Sequence, residues 1–136
     1  MSLKAFTIGS GLQRLETSLP GVVEIRPRYF QDARGFFMET YHREKYAAPG
    51  ITDTFVQDNR SRPVRHTLRG VHYQSRHSQA RLCRFVEGEA LVVMVDIRAG
   101  SPTLAKWTSV PISGKDAAFP KLAEVSSERL PKYLGR

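Results

Sequence analysis

Three consecutive stretches decide the fold class: Arg81-Leu82-Cys83-Arg84-Phe85-Val86, Glu87-Gly88-Glu89 and Ala90-Leu91-Val92-Val93-Met94-Val95-Asp96-Ile97. Two runs of β-branched, aromatic and other apolar residues flank a short segment of turn formers, the pattern of two strands joined by a tight hairpin. Outward from this pair the same pattern repeats. Toward the C-terminus, Arg98-Ala99-Gly100-Ser101-Pro102 is a second turn cluster, followed by a strand-like run from Ala105 to Ile112. Toward the N-terminus, strand-like runs lie at Gly21 to Arg26, between Pro20 and Pro27, and at Phe36 to Tyr41 after the turn-like Gln31-Asp32-Ala33-Arg34-Gly35. Two more lie at Thr54 to Gln57 and Leu68 to Gln74, and only Arg43 to Ala48 invites a short helix, ended by Pro49-Gly50. Short strands at regular intervals predict an all-β antiparallel sandwich or barrel rather than βαβ units. From Gly114 to Arg136 strand alternation is missing, so 1–113 is expected to be the domain and 114–136 an appended, divergent tail.

At 136 residues the chain is sized for one domain, and 40% hydrophobic with 25% charged residues excludes a disordered or collagen-like chain. Cys83 is the single cysteine, so no internal disulfide forms and a reducing compartment is favoured. It has no His or Cys near it in sequence, which leaves it as a small hydrophobe and not part of a metal or nucleophilic set. No apolar run is long enough to span a bilayer, and Met1-Ser2-Leu3-Lys4 lacks the apolar stretch of a signal peptide. The expectation is a soluble, cytoplasmic protein without a membrane partner. Zinc, Walker and Rossmann signatures are absent.

The chain carries 21 Lys+Arg against 13 Asp+Glu, a formal charge of +8. Its distribution matters more than its sum. Between Asn59 and Val86 there is no acidic residue, yet Arg60, Arg62, Arg65, Arg69, Arg76, Arg81 and Arg84 all fall there, with His66, His72 and His77. Arginine stays charged when partly buried, and its planar fork suits phosphate and carboxylate. The stretch is therefore a solvated basic face, a nucleic-acid surface or a site for a small phosphorylated ligand. Nucleic acid is disfavoured, because Tyr73 and Phe85 are the only aromatics in the run and bases need interleaved stacking platforms.

Within it, Thr67-Leu68-Arg69-Gly70-Val71-His72-Tyr73-Gln74 places a histidine in an apolar run. An imidazole titrates near neutral pH and can accept a proton, although a hydrogen-bonded rim histidine reads the same way. Strand alternation puts Arg69 and His72 on opposite faces unless Gly70 marks a bulge. Gln57 and Asn59 share a face, and such an amide pair can hold sugar hydroxyls or a base edge. Arg34 and Glu39 bracket Gly35-Phe36-Phe37, the pattern of a surface ion pair around a buried aromatic pair.

Five linked motifs carry a family resemblance. They are Pro20-Gly21-Val22; Phe30-Gln31-Asp32-Ala33-Arg34-Gly35-Phe36-Phe37-Met38-Glu39; Phe55-Val56-Gln57-Asp58-Asn59-Arg60-Ser61; Leu68-Arg69-Gly70-Val71-His72-Tyr73-Gln74; and Val95-Asp96-Ile97-Arg98-Ala99-Gly100-Ser101-Pro102-Thr103. In order and spacing, roughly from Glu16 to Ser113, they resemble the dTDP-4-dehydrorhamnose 3,5-epimerases. The resemblance implies a cupin-type jelly roll (a double-stranded β-helix) and a homodimer. It also implies a reaction on a dTDP-4-keto-6-deoxyhexose, dTDP-4-dehydro-6-deoxy-D-glucose, that uses neither metal nor organic cofactor.

Carried over by position, it makes His72 the base that removes the proton beside the 4-keto group. Arg81, in Gln79-Ala80-Arg81-Leu82, stands where the family has a lysine near the keto oxygen. Arg34, Phe37, Glu39, Gln57, Asn59 and Arg69 fall on positions that contact nucleotide, diphosphate or sugar. After Ser113 the family's Pro-x-Gly-Phe-Ala-His-Gly stretch, its acid tyrosine and its orienting aspartate are not recognisable, and Tyr133 does not match the acid. The jelly roll is accordingly expected to be incomplete at its C-terminus. A nucleotide-sugar-binding form lacking the acid is the alternative to an active epimerase.

Overall fold

Val22-Val23-Glu24-Ile25-Arg26 forms β3 (Val22–Arg26), whose first four residues are all buried. Side chains alternate across a strand, and here the two sides lead to two different cores. Val23 and Ile25 pack with Leu12, Tyr46 and Ile51, whereas Val22 packs with Leu19, Met94, Val110 and Ile112. The fold is a computed structural model that describes residues 5–7, 11–74, 76–77, 79–114 and 122–125.

On one edge β3 pairs antiparallel with β2 (Gln13–Glu16), which pairs with β1 (Ala5–Thr7). On the other it pairs with β9 (Leu122–Val125), which also pairs with β6 (Arg81–Cys83), giving a five-stranded sheet in the order β1-β2-β3-β9-β6. Two antiparallel ribbons complete the described strands: β4 (Tyr29–Asp32) with β5 (Gly35–Met38), and β7 (Glu89–Val95) with β8 (Trp107–Ser113). The all-β expectation holds, with α1 (Arg43–Ala47) as the one described helix.

Three local expectations change. Glu87-Gly88-Glu89 does not join a hairpin: β6 and β7 lie in different sheets, and the turn carries the chain between them, with Gly88 accepting from the Gly114 amide at 2.7 Å. Thr54 to Gln57 and Leu68 to Gln74 form no strand. Among the described residues no neighbouring strand supplies the ladder bonds such runs need, and β-propensity reports packing and pairing more than a backbone preference. Finally, Leu122–Val125 is a central strand within the stretch where the sequence shows no alternation.

The helix forms as expected and stops where Gly50 turns the chain at φ +92°, a left-handed conformation suited to glycine. Arg14 donates to the Pro49 carbonyl, tying this turn to β2. Tyr46, fully buried on α1, donates its hydroxyl to the Thr40 carbonyl at 2.8 Å and packs against Tyr41, which in turn meets Phe55 edge-on at 5.6 Å. Burial, reinforced by the charge of Glu39, pushes the Tyr46 phenol up to about 12. Tyr46→Phe removes one hydrogen bond and leaves the Thr40 carbonyl without that donor. It is expected to cost about 1–2 kcal/mol in urea unfolding with an unchanged m-value.

The connection from β7 to β8 is held by a single carboxylate. Asp96 accepts from the Arg98 backbone N–H (2.9 Å), Nε (2.8 Å) and Nη2 (2.6 Å), and from the Ser101 and Thr103 hydroxyls (2.6 Å each). The turn expected at Arg98 to Pro102 is therefore present: Gly100 takes a left-handed φ of +77°, the Ser101 amide donates to the Arg98 carbonyl at 3.2 Å, and the Asp96 carboxylate holds the turn from within.

Candidate active site

The eight candidate residues divide between two places. Five, Gln57, Asn59, Arg69, His72 and Arg81, lie on the excursion from Phe55 to Leu82. The ends of this excursion are fixed, because Phe55 and Leu82 both pack on the cluster of Leu12, Val23, Ile25, Tyr46 and Ile51. Between them all five side chains are exposed. Gln57 Nε2 donates to Asn59 Oδ1 at 3.2 Å, so the amide pair is brought together as the sequence implies. The excursion also holds a turn in which the Thr67 amide and hydroxyl both donate to the Val64 carbonyl, at 3.3 and 2.7 Å.

Because residues 68–74 form no strand, alternation does not set Arg69 and His72 on opposite faces. Gly70 between them has φ +110°, which a side chain would strain. Among the described residues no hydrogen bond or ion pair joins His72 to Arg69 or to Arg81. Arg81 opens β6 and is exposed, two residues from the half-buried Cys83, whose thiol is pushed up by burial and drawn back by the Arg81 charge. Packing as a small hydrophobe agrees with that environment.

The other three candidates sit on the β4–β5 ribbon and just after it. Arg34, in the ribbon's turn, binds Asp32 through its backbone N–H (2.8 Å), Nε (3.1 Å) and Nη2 (2.5 Å). The guanidinium holds the Asp32 carboxyl below the usual carboxylate range. Glu39 accepts from Lys45 Nζ at 2.9 Å. The expected Arg34–Glu39 pair is thus replaced by two local pairs, Arg34 with Asp32 and Glu39 with Lys45. The aromatic pair is not buried either: Phe37 is 74% exposed opposite Phe30, and the Arg28 guanidinium lies 4.7 Å from the Phe30 ring centre. A two-stranded ribbon has too few neighbours to cover both of its faces. Among the described residues no hydrogen bond or ion pair joins this group to the excursion.

Electrostatically the excursion is one-sided. Arg62 approaches Glu87 at 3.7 Å, both largely exposed, a contact worth little in water. Arg60, Arg65, Arg69, Arg76, Arg81 and Arg84 have no ion pair among the described residues. Also among them, no group of three or more His, Cys, Asp or Glu is placed to hold a metal, and no helix is long and apolar enough to cross a membrane. Tyr133 and the rest of 126–136 lie outside the described residues. The sequence reading missed the Arg28–Phe30 stack and the Asp96 network. For Asp96 the available signal was a carboxylate followed by Arg98, Ser101 and Thr103 across a turn.

The comparisons with known proteins cover both groups of residues. The profile of the family described as dTDP-4-dehydrorhamnose 3,5-epimerase matches residues 16–122. The protein of that name from Neisseria gonorrhoeae is 45% identical over 103 residues, 75% of this chain and 31% of that protein. The one from Methanothermobacter thermautotrophicus is 41% identical over 102 residues, 75% of this chain and 55% of that protein. The crystal structure of the Legionella pneumophila dTDP-6-deoxy-D-glucose-3,5-epimerase, in complex with dTDP-4-keto-L-rhamnose, superposes with a TM-score of 0.78 at 39% identity. It covers 84% of this chain and 60% of that one. The Bacillus anthracis enzyme with TDP and PPi bound gives a TM-score of 0.77 at 32% identity, over 85% and 65%. This chain thus spans about half the length of the Methanothermobacter relative, and the cupin-type jelly roll of these neighbours is its fold. Because the matched span runs from β2 into β9 and takes in all eight candidate residues, the chain belongs to the dTDP-4-dehydrorhamnose 3,5-epimerase family.

Proposed function

We propose that this protein epimerises a dTDP-4-keto-6-deoxyhexose, dTDP-4-dehydro-6-deoxy-D-glucose, by proton abstraction beside the ketone. The observation that carries the reading is the match of residues 16–122 to the family across both groups of candidate residues. The chemistry follows from the ketone. The C–H next to it is acidic because its electron pair moves onto the keto oxygen when the proton leaves. His72 takes that proton, and Arg81 faces the oxygen on which the charge develops. Return of a proton to the opposite face of the same carbon inverts it. The ketone supplies the acidity, so the reaction calls for neither a metal nor an organic cofactor.

Arg69 and Arg34 suit the diphosphate, since guanidinium forks match phosphate oxygens. Phe37, exposed and flat, suits a base, while the Gln57–Asn59 amide pair and Glu39 suit hydroxyls and base edges. The relative's bound dTDP-4-keto-L-rhamnose is the same class of ligand. The same reading makes the protein a cytoplasmic homodimer: Leu91 and Trp107 leave apolar surface on the β7–β8 ribbon that a second copy would cover.

Incubation with dTDP-4-dehydro-6-deoxy-D-glucose in heavy water tests the proposal, with deuterium entry followed at C3 and C5 by NMR. Incorporation at one or both carbons is expected. Incorporation no faster than in buffer overturns it.

A further inference from the structure

We infer that Lys45 is a positioning residue for the candidate site: from α1 it holds the Glu39 carboxylate in the orientation that receives the ligand. The inference rests on the nucleotide-sugar reading above, in which Glu39 contacts the substrate. Lys45 Nζ donates to Glu39 Oε2 at 2.9 Å, and among the described residues no hydrogen bond reaches Oε1. One carboxylate oxygen is thereby committed to the protein, and the other remains for a hydroxyl or N–H of the ligand. Arg34, the cation that the sequence pairs with Glu39, is bound to Asp32 instead, so among the described residues Lys45 is the cation that Glu39 has.

The pair stands on a fixed base. Tyr46, the residue after Lys45, is fully buried in the cluster around Ile25 and donates its hydroxyl to the carbonyl of Thr40, the residue after Glu39. Two neighbouring residues of the helix thus grip two neighbouring residues that follow β5, Lys45 by a side chain and Tyr46 by a backbone carbonyl. The end of the helix is tied down as well: the Ile51 amide donates to the Tyr46 carbonyl at 3.0 Å, and Arg14 of β2 donates to the Pro49 carbonyl. A glutamate side chain has several torsions to fix when a ligand arrives, and ordering one such side chain weakens binding by a factor of about three to ten. A carboxylate already seated on Lys45 avoids most of that loss. The two side chains are 45% and 41% exposed, so the pair adds little to folding, and its effect falls on binding.

Deuterium entry into dTDP-4-dehydro-6-deoxy-D-glucose, measured against substrate concentration with the full chain, tests this role. The variants are Lys45→Met, Lys45→Arg, Glu39→Gln and the double variant of Lys45→Met with Glu39→Gln. Lys45→Met is expected to raise KM about threefold to tenfold, with kcat within about twofold and the urea midpoint unchanged. Lys45→Arg keeps the charge and is expected to restore most of the KM. In the Glu39→Gln background Lys45→Met is expected to add less than about twofold, because the carboxylate it positions is gone. An unchanged KM in Lys45→Met overturns the inference. An equal rise in the Glu39→Gln background overturns it too, since Lys45 would then act on the ligand by itself. Both results leave the proposed function standing, whereas no exchange by the unsubstituted chain overturns that function and the inference with it.

Discussion

His72→Ala is expected to lower deuterium entry into dTDP-4-dehydro-6-deoxy-D-glucose by about 10²–10⁴-fold, the usual contribution of a positioned general base. The same substitution is expected to leave stability within about 0.5 kcal/mol, because His72 is exposed and makes no hydrogen bond among the described residues. That separation makes the result interpretable: a loss of exchange at constant unfolding midpoint is a loss of chemistry. Arg81→Ala is expected to cost about 10²–10³-fold, since in the proposed mechanism it removes the cation that faces the developing enolate oxygen. Arg81→Lys retains the charge as a compact ammonium, the group the family resemblance puts there, and is expected to keep most of the exchange. Exchange in the His72→Ala protein within tenfold of the unsubstituted chain would remove His72 from the mechanism.

The parts of the fold legible in the sequence are those whose stability is local or whose strands are apolar almost throughout, whether both faces are buried, as in Val22–Arg26, or only one, as in Glu89–Val95. Val22–Arg26 and Glu89–Val95 read as strands because they are nearly continuous apolar runs, and Arg43–Ala47 reads as a helix because Pro49-Gly50 ends it. Gln13–Glu16 did not read as a strand, since Leu15 is its only apolar residue and the pairing with β3 supplies what its composition does not. Leu122–Val125 is hidden for a different reason: its Leu-Ala-Glu-Val shows no alternation, and its place between β3 and β6 supplies the pairing that makes it a strand. The converse error occurs at Leu68 to Gln74, where a good pattern meets no described partner.

The candidate site was legible as a set of residue types at motif spacing, but its spatial grouping was not. Arg34 and Glu39 are close in sequence, and the nearest opposite charges claim them, Asp32 at one and Lys45 at the other. Gln57 and Asn59 meet because a hydrogen bond between residues two apart is local and needs no long-range information.

Asp96→Asn is expected to be the most damaging conservative substitution, costing about 3–5 kcal/mol of a total stability on the order of 5–15 kcal/mol. The Asp96 side chain is 1% exposed and that of Arg98 is 14% exposed. An amide of the same shape turns one acceptor into a donor that faces N–H and O–H groups, and it leaves the Arg98 guanidinium largely buried without its counter-ion. The damage spreads because this guanidinium also approaches Gly21, just before β3: a Cβ added there would sit 3.8 Å from it. Asp96 therefore holds an arginine between the β7–β8 ribbon and the central strand of the five-stranded sheet.

The pH dependence has a definite sign. The Arg98 hydrogen bonds, followed by those of Ser101 and Thr103, hold the Asp96 carboxyl far below its ordinary value and outweigh the opposing effect of burial. A depressed folded value means the contribution is fully present above the unfolded pKa of about 3.9 and is lost as the pH falls below it. Urea unfolding at pH 7 and pH 3 should therefore show a large gap between the unsubstituted protein and Asp96→Asn at pH 7, narrowing at pH 3. An equal gap at both values would mean that the carboxylate's charge is not what holds the turn, and that its shape alone does.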